Sequence, residues 1–130
     1  MSNMNSPVFR LIVAGSRNFN NYELLKEKCD CLLSLKRQTH SIVIVSGTAR
    51  GADQLGERYA AERGYQVERF PADWKNDGKA AGPIRNAQMA AYADALVVFW
   101  DGRSRGTSDM IERAEKRGLP VRVILIDKIV

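Results

Sequence analysis

Two loops of the sequence combine glycine, hydroxyl side chains and arginine directly after short apolar runs. They are residues 46–51, with the sequence SGTARG, and residues 102–107, with the sequence GRSRGT. Glycine lets a backbone approach a ligand closely, the first N–H groups of a following helix attract anions, and arginine binds phosphate in a bidentate manner. One such loop is explained equally well by tight turns and by Thr107 capping a helix. The two loops together favour a phosphate-binding site.

Three further residues could complete a nucleotide site. Arg85 and Asn86 stand near the start of a predicted helix, where a guanidinium could reach a phosphate or a ribose. An arbitrary helical arginine is usually a surface residue, but the stretch GKAAG at 78–82 is suited to presenting this helix start. Trp74 either stacks on a base or covers the edge of a sheet, and the sequence leaves both roles open.

Other kinds of site find little support in the sequence. Neither loop continues into Gly-Lys-Ser/Thr, and no Gly-x-Gly-x-x-Gly follows the first apolar run, so neither ATP hydrolysis nor NAD redox chemistry is predicted. Cys29 and Cys31 are two positions apart in a helical pattern, and the chain has one histidine, which argues against a zinc site or a disulfide framework. We therefore expect no metal and no cofactor.

Five β-branched apolar runs alternate with four helical patterns. The predicted strands cover residues 9–15, 41–47, 65–71, 94–100 and 121–126, and the predicted helices cover residues 21–37, 51–64, 81–93 and 107–118. Strands that are apolar nearly throughout and alternate with helices imply a mostly parallel five-stranded sheet with helices on both faces. The predicted fold class is α/β and Rossmann-like, with residues 9–130 as a single domain and residues 1–8 as a flexible N-terminus.

The predicted sheet gathers much of the positive charge at one edge, because ligands of open parallel sheets bind outside the carboxyl ends of the strands. Seven of the 20 basic residues fall there, namely Arg17, Arg50, Lys75, Lys79, Arg85, Arg103 and Arg105. In the predicted helix 81–93, Arg85 shares one face with Gln88, Met89 and Tyr92. The other face, with Ile84, Ala87 and Ala91, is the better candidate for the core.

Composition sets broad limits on the class of protein. A chain of 130 residues with 45% hydrophobic residues can bury the core of one domain, and a net charge of +5 favours anionic partners. No apolar run approaches the roughly 20 residues needed to span a bilayer, and the N-terminus lacks the pattern of a signal peptide. We expect a cytoplasmic protein with no membrane partner. Nucleic acid is not the expected partner, because the basic residues cluster at strand ends rather than along one helix face.

Five motifs, taken in order, resemble the SLOG superfamily and most closely its YspA/YpsA-like branch. They are VAGSRNF at 13–19, SGTARGAD at 46–53, PADW at 71–74, GKAAGPIRNAQM at 78–89 and GRSRGTSDMIERA at 102–114. The resemblance runs from about residue 9 to residue 126. It implies a Rossmann-like domain that binds nucleotides or nucleotide-derived ligands and assembles as a homodimer or higher homo-oligomer. The superfamily includes the DprA DNA-binding proteins and the LOG phosphoribohydrolases, which supply two alternative functions.

The resemblance to LOG enzymes is partial. Their pattern is an arginine with a methionine four residues later, then a strand and Gly-Gly-x-Gly-Thr-x-x-Glu. Arg85 and Met89 match its first part, and Gly106 and Thr107 match the Gly-Thr pair. Thr48 stands where related SLOG loops often have a second glycine. The resemblance therefore implies that the phosphate-binding part of the site is present.

The departures from the LOG pattern concern catalysis. Arg103 and Ser104 replace the paired glycines, and Met110 stands at the position of the catalytic glutamate. Asp109 and Glu112 are the remaining candidates for that carboxylate. On one helix they point about 100° and about 200° away from Met110, so neither simply substitutes for the glutamate. Whether the chain is an enzyme stays open, and the absence of activity is the favoured reading.

The sequence thus predicts a module that senses, sequesters or signals by binding a nucleotide or nucleotide-derived ligand at the carboxyl edge of its sheet. A phosphoribohydrolase acting on nucleoside monophosphates and a DprA-like nucleic-acid-binding protein are the alternatives. The candidate ligand-binding residues are Gly15, Ser16, Arg17, Ser46, Gly47, Thr48, Arg50, Trp74, Arg85, Asn86, Gly102, Ser104, Arg105, Gly106 and Thr107.

Overall fold

The computed structural model describes residues 6–126 and contains one five-stranded sheet. Its strands are β1 (Val8–Gly15), β2 (Ser41–Ser46), β3 (Gln66–Arg69), β4 (Ala95–Trp100) and β5 (Val121–Leu125). The helices are α1 (Tyr22–Leu33), α2 (Lys36–Thr39), α3 (Ala52–Arg63), α4 (Trp74–Asp77), α5 (Ala81–Tyr92) and α6 (Arg105–Lys116), with a 3₁₀ turn at Gly78–Ala80. The strand order is β3-β2-β1-β4-β5 and every pairing is parallel, which confirms the predicted Rossmann-like α/β fold.

Alternate residues of the central strands pack against helices on opposite faces of the sheet. On one face, Leu11 and Val13 of β1 join a buried cluster with α1 and α3. On the other face, Ile12 and Ala14 join a second cluster with α5 and α6. Burial on both faces explains why β1, β2 and β4 are apolar nearly throughout, as parallel strands between two helix layers must be.

Several element bounds differ from the predicted ones. The helix predicted over 21–37 ends at Leu33, and a separate short helix, α2, follows. Strand β3 is shorter than predicted and largely exposed because it forms one edge of the sheet. Val8 pairs with Ser41, one residue before the predicted start of β1. Residues 1–5 of the predicted flexible N-terminus, and residues 127–130, lie outside the described part of the chain.

None of the helices within residues 6–126 has the length and apolar content to cross a membrane.

Helix α5 buries a different face from the one predicted. Asn86, Met89 and Ala90 are buried, whereas Ile84 is 41% exposed and Ala91 is exposed. The prediction that Ile84, Ala87 and Ala91 form the core face is therefore wrong. Met89 belongs to the buried cluster with Met110 of α6, and this packing turns the face that carries Arg85 and Met89 towards the sheet.

Close packing of α3 on the sheet depends on Gly56. A Cβ at this position would lie 2.9 Å from two carbon atoms of the Val13 side chain, which is fully buried. We expect Gly56→Ala to lower the free energy of unfolding by roughly 1–3 kcal/mol, because steric overlap outweighs the higher helix propensity of alanine. Gly106→Ala is the matched control, since its Cβ would meet nothing within 4 Å. Urea unfolding of both variants measures the effect, and a Gly56→Ala variant as stable as its control would contradict this packing.

Candidate functional site

The loops after β1, β2 and β4 make close backbone contacts at the carboxyl edge of the sheet. The N–H of Ser16 donates to the carbonyl of Phe99 at 2.9 Å, and a Cβ at Gly15 would lie 2.3 Å from that same carbonyl oxygen. Gly51 has a φ of +77°, and a Cβ there would lie 2.4 Å from the carbonyl oxygens of Ser16 and Arg17. The loops after β1, β2 and β4 therefore meet at a distance that only glycine allows.

Two buried hydroxyls, those of Ser16 and Ser46, hold these loops in position by hydrogen bonds. The Ser16 Oγ accepts from the Asp101 N–H at 3.1 Å and lies 3.2 Å from the Ser104 Oγ. The Ser46 Oγ donates to Glu57 at 2.7 Å and accepts from the Thr48 N–H at 3.1 Å. The structure thus gives Ser16 and Ser46 a positioning role, because their hydroxyls are buried and already bonded within the protein.

One cavity, called here the main cavity because most of the predicted site residues line it, lies at the ends of β1 and β4 and has a volume of about 510 Å³. It occupies the place where the strand order reverses, as ligand sites of doubly wound sheets do. Nine predicted ligand-binding residues line it, namely Gly15, Arg17, Arg50, Arg85, Asn86, Ser104, Arg105, Gly106 and Thr107. Ala14, Met89 and Met110 form the apolar part of its wall.

A second cavity of about 330 Å³, called here the Trp74 cavity, adjoins the first. The two share the four lining residues Arg17, Ala49, Arg50 and Arg85. The predicted residues Gly47, Thr48 and Trp74 line the Trp74 cavity, together with Pro71 and Ala72. The Trp74 side chain is 53% exposed, which leaves part of its ring available for stacking. The predicted residue Gly102 lines neither cavity.

Four arginines, Arg17, Arg50, Arg85 and Arg105, line the main cavity. None of the ion pairs within residues 6–126 involves these four side chains. The Arg85 guanidinium donates to the Gly47 carbonyl, and its Nε donates to the Asn86 Oδ1 at 3.0 Å. Burial lowers the pKa of Arg85 from its ordinary value, with the Asp53 carboxylate opposing that change. Positive charge is therefore concentrated where a phosphate could neutralise it.

Asn86 and Gly47 orient Arg85. Asn86 accepts from Arg85 and donates through its Nδ2 to the Gly106 carbonyl at 3.2 Å and to Asp109 at 3.0 Å, so it links α5 to α6. A Cβ at Gly47 would lie 2.8 Å from the Arg85 Nη1 and 2.8 Å from the Asp53 Oδ2. Gly47 is thus needed for the arginine to fit beside the loop, a role that differs from the phosphate contact predicted for it.

Helix α6 begins two residues earlier than predicted, so Arg105, Gly106 and Thr107 form its first turn. Ser104 is the N-cap residue, and the predicted N-cap Thr107 is instead buried inside that turn. N–H groups in the first turn of a helix have no acceptor within the helix and attract anions. Gly106 is exposed and leaves space for a ligand at this helix start.

Asp101, which sequence reasoning missed, holds the loop before α6. Its Oδ1 accepts from the N–H groups of Arg103 and Ser104, both at 2.8 Å. These backbone N–H groups, first Ser104 and then Arg103, lower the pKa of Asp101 to about 2. The carboxylate is therefore ionised at neutral pH and fixes the loop that carries Ser104 into α6.

Asp53 is a second missed residue, although it ends the motif SGTARGAD. It is only 6% exposed, lines the main cavity, and accepts from the Ala49 N–H at 3.1 Å. Burial raises its pKa to about 6, against the lowering effects of the Ala49 hydrogen bond and of Arg85. An acidic residue in the first turn of a helix is usually attributed to the helix dipole, so its sequence position alone does not reveal this burial.

Thr48 adopts a φ of +66°, the one left-handed non-glycine backbone among the residues described. This conformation normally favours glycine, which fits the second glycine of related SLOG loops at this position. The loop is held there because the Thr48 N–H donates to Ser46 and the Ala49 N–H donates to Asp53. Strained backbone held by its surroundings is typical of binding loops.

The two candidate catalytic carboxylates lie outside the cavities. Asp109 accepts from Asn86 and from the Arg113 Nε at 2.9 Å, and it lines neither cavity. Glu112 pairs with Lys116 at 3.2 Å, and its side chain is 67% exposed. Met110 is buried and lines the main cavity, so a thioether lies where the LOG pattern has its glutamate.

The pKa of Asp53 is raised and that of Asp101 is lowered, so the pH dependence of stability can test whether the two carboxyl groups titrate as described. The pKa of buried Asp53 rises from 3.8 to about 6, so its ionisation destabilises the folded chain by roughly 3 kcal/mol above pH 6. That penalty develops between about pH 4 and pH 6 and is absent below. We expect Asp53→Asn to be more stable than the original chain at pH 8 and to lose this advantage below pH 4. Thermal unfolding against pH measures the difference.

Asp101→Asn is the matched control, with the opposite sign. The pKa of Asp101 lies below its unfolded value, so its carboxylate stabilises the folded chain above about pH 4, and this contribution is lost as the pH falls towards 2. We expect Asp101→Asn to be less stable at neutral pH. A stability difference for Asp53→Asn that does not change with pH would show that the Asp53 carboxyl does not titrate as described.

Sequence comparison places the chain in a family. Residues 9–76 match the model of the YspA, cpYpsA-related SLOG family. The Gene 61 protein of Mycobacterium phage D29 is 38% identical over 119 residues, which cover 86% of this chain and 93% of the phage protein. The match to the family model confirms the resemblance seen in the sequence motifs.

Two solved structures share the fold. DNA processing protein A (DprA) from Streptococcus pneumoniae has a TM-score of 0.72 at 20% identity, over 96% of this chain and 53% of the DprA chain. This chain thus spans about half the length of DprA. The structural-genomics target TM1055 has a TM-score of 0.62 at 21% identity, over 87% of this chain and 72% of its own. With the motifs, the site and the family model in agreement, the chain belongs to the YspA, cpYpsA-related SLOG family.

Proposed function

We propose that the chain binds a nucleotide or nucleotide-derived ligand, with its phosphate in the main cavity. The observation that carries the proposal is the group of four arginines, none in an ion pair with another residue of the described range 6–126, around a concave site at the strand ends. The exposed first turn of α6 adds N–H groups to the same site. Burial lowers the pKa of Arg85 and the charge of Arg17 acts in the same direction, so an anion bound near both side chains would be stabilised by both.

Binding without turnover fits the chemistry of the cavity wall. Cleaving an N-glycosidic bond builds positive charge on the sugar, which needs a carboxylate to stabilise it or to activate water. Met110 can do neither. Asp53 and Asp101 line the cavity, but each already accepts hydrogen bonds that hold a loop in place. The site therefore supports a sensing, sequestering or signalling module better than a phosphoribohydrolase.

Nucleic-acid binding is the other function suggested by a structural neighbour, since DprA is a DNA processing protein. The arginines of this chain line a cavity, whereas a duplex or a long single strand is bound by an extended basic surface. Contacts with DNA or RNA would then be weak, without sequence preference, and lost at physiological salt.

The expected homodimer or higher homo-oligomer remains a prediction, to be measured by light scattering on the purified chain.

The first experiment compares two arginines of one loop. Both side chains are exposed, but Arg105 lines the main cavity, whereas Arg103 lines neither cavity. Nucleoside phosphates at about 100 times their dissociation constant should add roughly 2.7 kcal/mol to the stability of the folded chain. We expect Arg105→Ala to weaken that binding about tenfold or more, and Arg103→Ala to leave it nearly unchanged.

Thermal shift and calorimetry against nucleoside mono-, di- and triphosphates provide the readout. No stabilisation by any member of the panel would overturn the proposed function. Equal losses in Arg103→Ala and Arg105→Ala would show that net charge, rather than the cavity, attracts the ligand. Tight DNA binding that persists at physiological salt would favour the nucleic-acid alternative.

The second experiment concerns catalysis. Because Met110 replaces the required carboxylate, we expect nucleoside monophosphates to release no free base during long incubation with a high concentration of the protein. Chromatography of the mixtures measures base release, with Asp109→Asn and Glu112→Gln run alongside. Release by the original chain that disappears in either variant would establish the phosphoribohydrolase alternative.

A further inference from the structure

The two cavities share one group of arginines in their walls. Arg17, Arg50 and Arg85 line both the main cavity and the Trp74 cavity. A phosphate group bound by these three side chains would therefore adjoin both cavities. This arrangement differs from a single pocket with phosphate at one end, which is what a mononucleotide needs.

Each cavity can hold one ring system. Their volumes are about 510 Å³ and about 330 Å³, and small-molecule sites in proteins start at roughly 300 Å³. A mononucleotide with its phosphate on the arginines would fill one of the two and leave the other to water. A ligand that carries a ring-bearing group on each side of its phosphates would fill both.

The walls of the two cavities suit such groups. In the main cavity, Ala14, Met89 and Met110 offer apolar and thioether surface to a sugar or a ring. In the Trp74 cavity, the half-exposed indole and the neighbouring Pro71 and Ala72 offer a flat apolar surface.

Local structure fixes the position of Trp74. It is the first residue of α4, whose N-cap Asp73 accepts from the Asn76 N–H at 3.2 Å and from the Asn76 Nδ2 at 2.8 Å. The indole also lies beside Gly82 of α5, where an added Cβ would be 3.5 Å from its Cη2. An aromatic ring held by a capped turn loses little freedom when a base stacks on it.

On the basis of the proposed function, we propose that the ligand has two ring-bearing halves joined by a diphosphate, as in dinucleoside diphosphates. The diphosphate lies on Arg17, Arg50 and Arg85, one half occupies the main cavity, and the other half stacks on Trp74. The bridging diphosphate carries two negative charges, about as many as a terminal phosphate monoester, so the second cavity rather than charge distinguishes the two ligand classes.

The test uses the two tryptophans of the chain as separate reporters. The Trp100 Nε1 donates to the Ser104 carbonyl at 3.1 Å, so Trp100 reports on the loop that enters α6. Trp74 reports on the second cavity. Trp100→Phe and Trp74→Phe each leave one reporter, and both are titrated with diadenosine and diguanosine diphosphate and with the matching nucleoside monophosphates.

We expect a dinucleoside diphosphate to bind at least tenfold more tightly than its monophosphate and to change the fluorescence of Trp74. Calorimetry should show that Trp74→Ala lowers the affinity for the dinucleoside diphosphate about tenfold, and by a larger factor than it lowers the affinity for the monophosphate. The half-exposed position of Trp74 makes Trp74→Ala a folded variant, which circular dichroism checks.

Equal affinity for the two ligand classes, or an unchanged dinucleotide affinity in Trp74→Ala, would overturn this inference and leave the proposed function in place. Binding of neither class, in a chain that also shows no thermal shift with any nucleotide, would overturn both.

Discussion

The backbone contact between the ends of β1 and β4 is the constraint on which the site depends. Gly15 and Ser16 lie against the Phe99 carbonyl, and Gly51 brings the loop after β2 against the Ser16 carbonyl. Any side chain at these glycines would force the loops apart. Because the loops cannot separate, their arginines are held around one cavity, whose position follows from the reversal of strand order next to β1.

A buried acid near a half-buried arginine indicates that the site is not arranged for stability alone. Asp53 would be more stable as a neutral group, and burial also opposes the charge on Arg85. Replacing both by apolar residues would relieve the desolvation of two charges. Asp53 nevertheless supports the loop with the left-handed backbone at Thr48 by accepting from the Ala49 N–H, and its charge favours the charged form of Arg85. Strain and buried charge in one loop are typical of a binding site.

Sequence reasoning predicted the fold and most of the cavity wall because their signals are local. Apolar runs followed by glycine and arginine identify strand ends, and a parallel topology places these ends at one edge of the sheet. Other roles depend on long-range packing, which sequence spacing does not contain. The Ser46 hydroxyl turns inward to Glu57, Asp53 is buried beneath its own loop, and Asp101 caps the loop before α6. The core face of α5 was mispredicted because both faces of the helix carry alanines, so the sequence did not decide which face packs on the sheet.

Met110 stands where the LOG pattern has its catalytic glutamate, and its side chain contributes to packing rather than to hydrolysis. A thioether keeps the packing between α5 and α6 through its contact cluster with Met89, and it removes the only group that the LOG pattern offers for hydrolysis. The arginines of the cavity remain, and the charge of Arg17 opposes that of Arg85. A bound phosphate relieves that repulsion, so the ligand should contribute to the stability of the folded chain itself. The proposed function therefore predicts that the occupied state of the chain is more stable than its empty state.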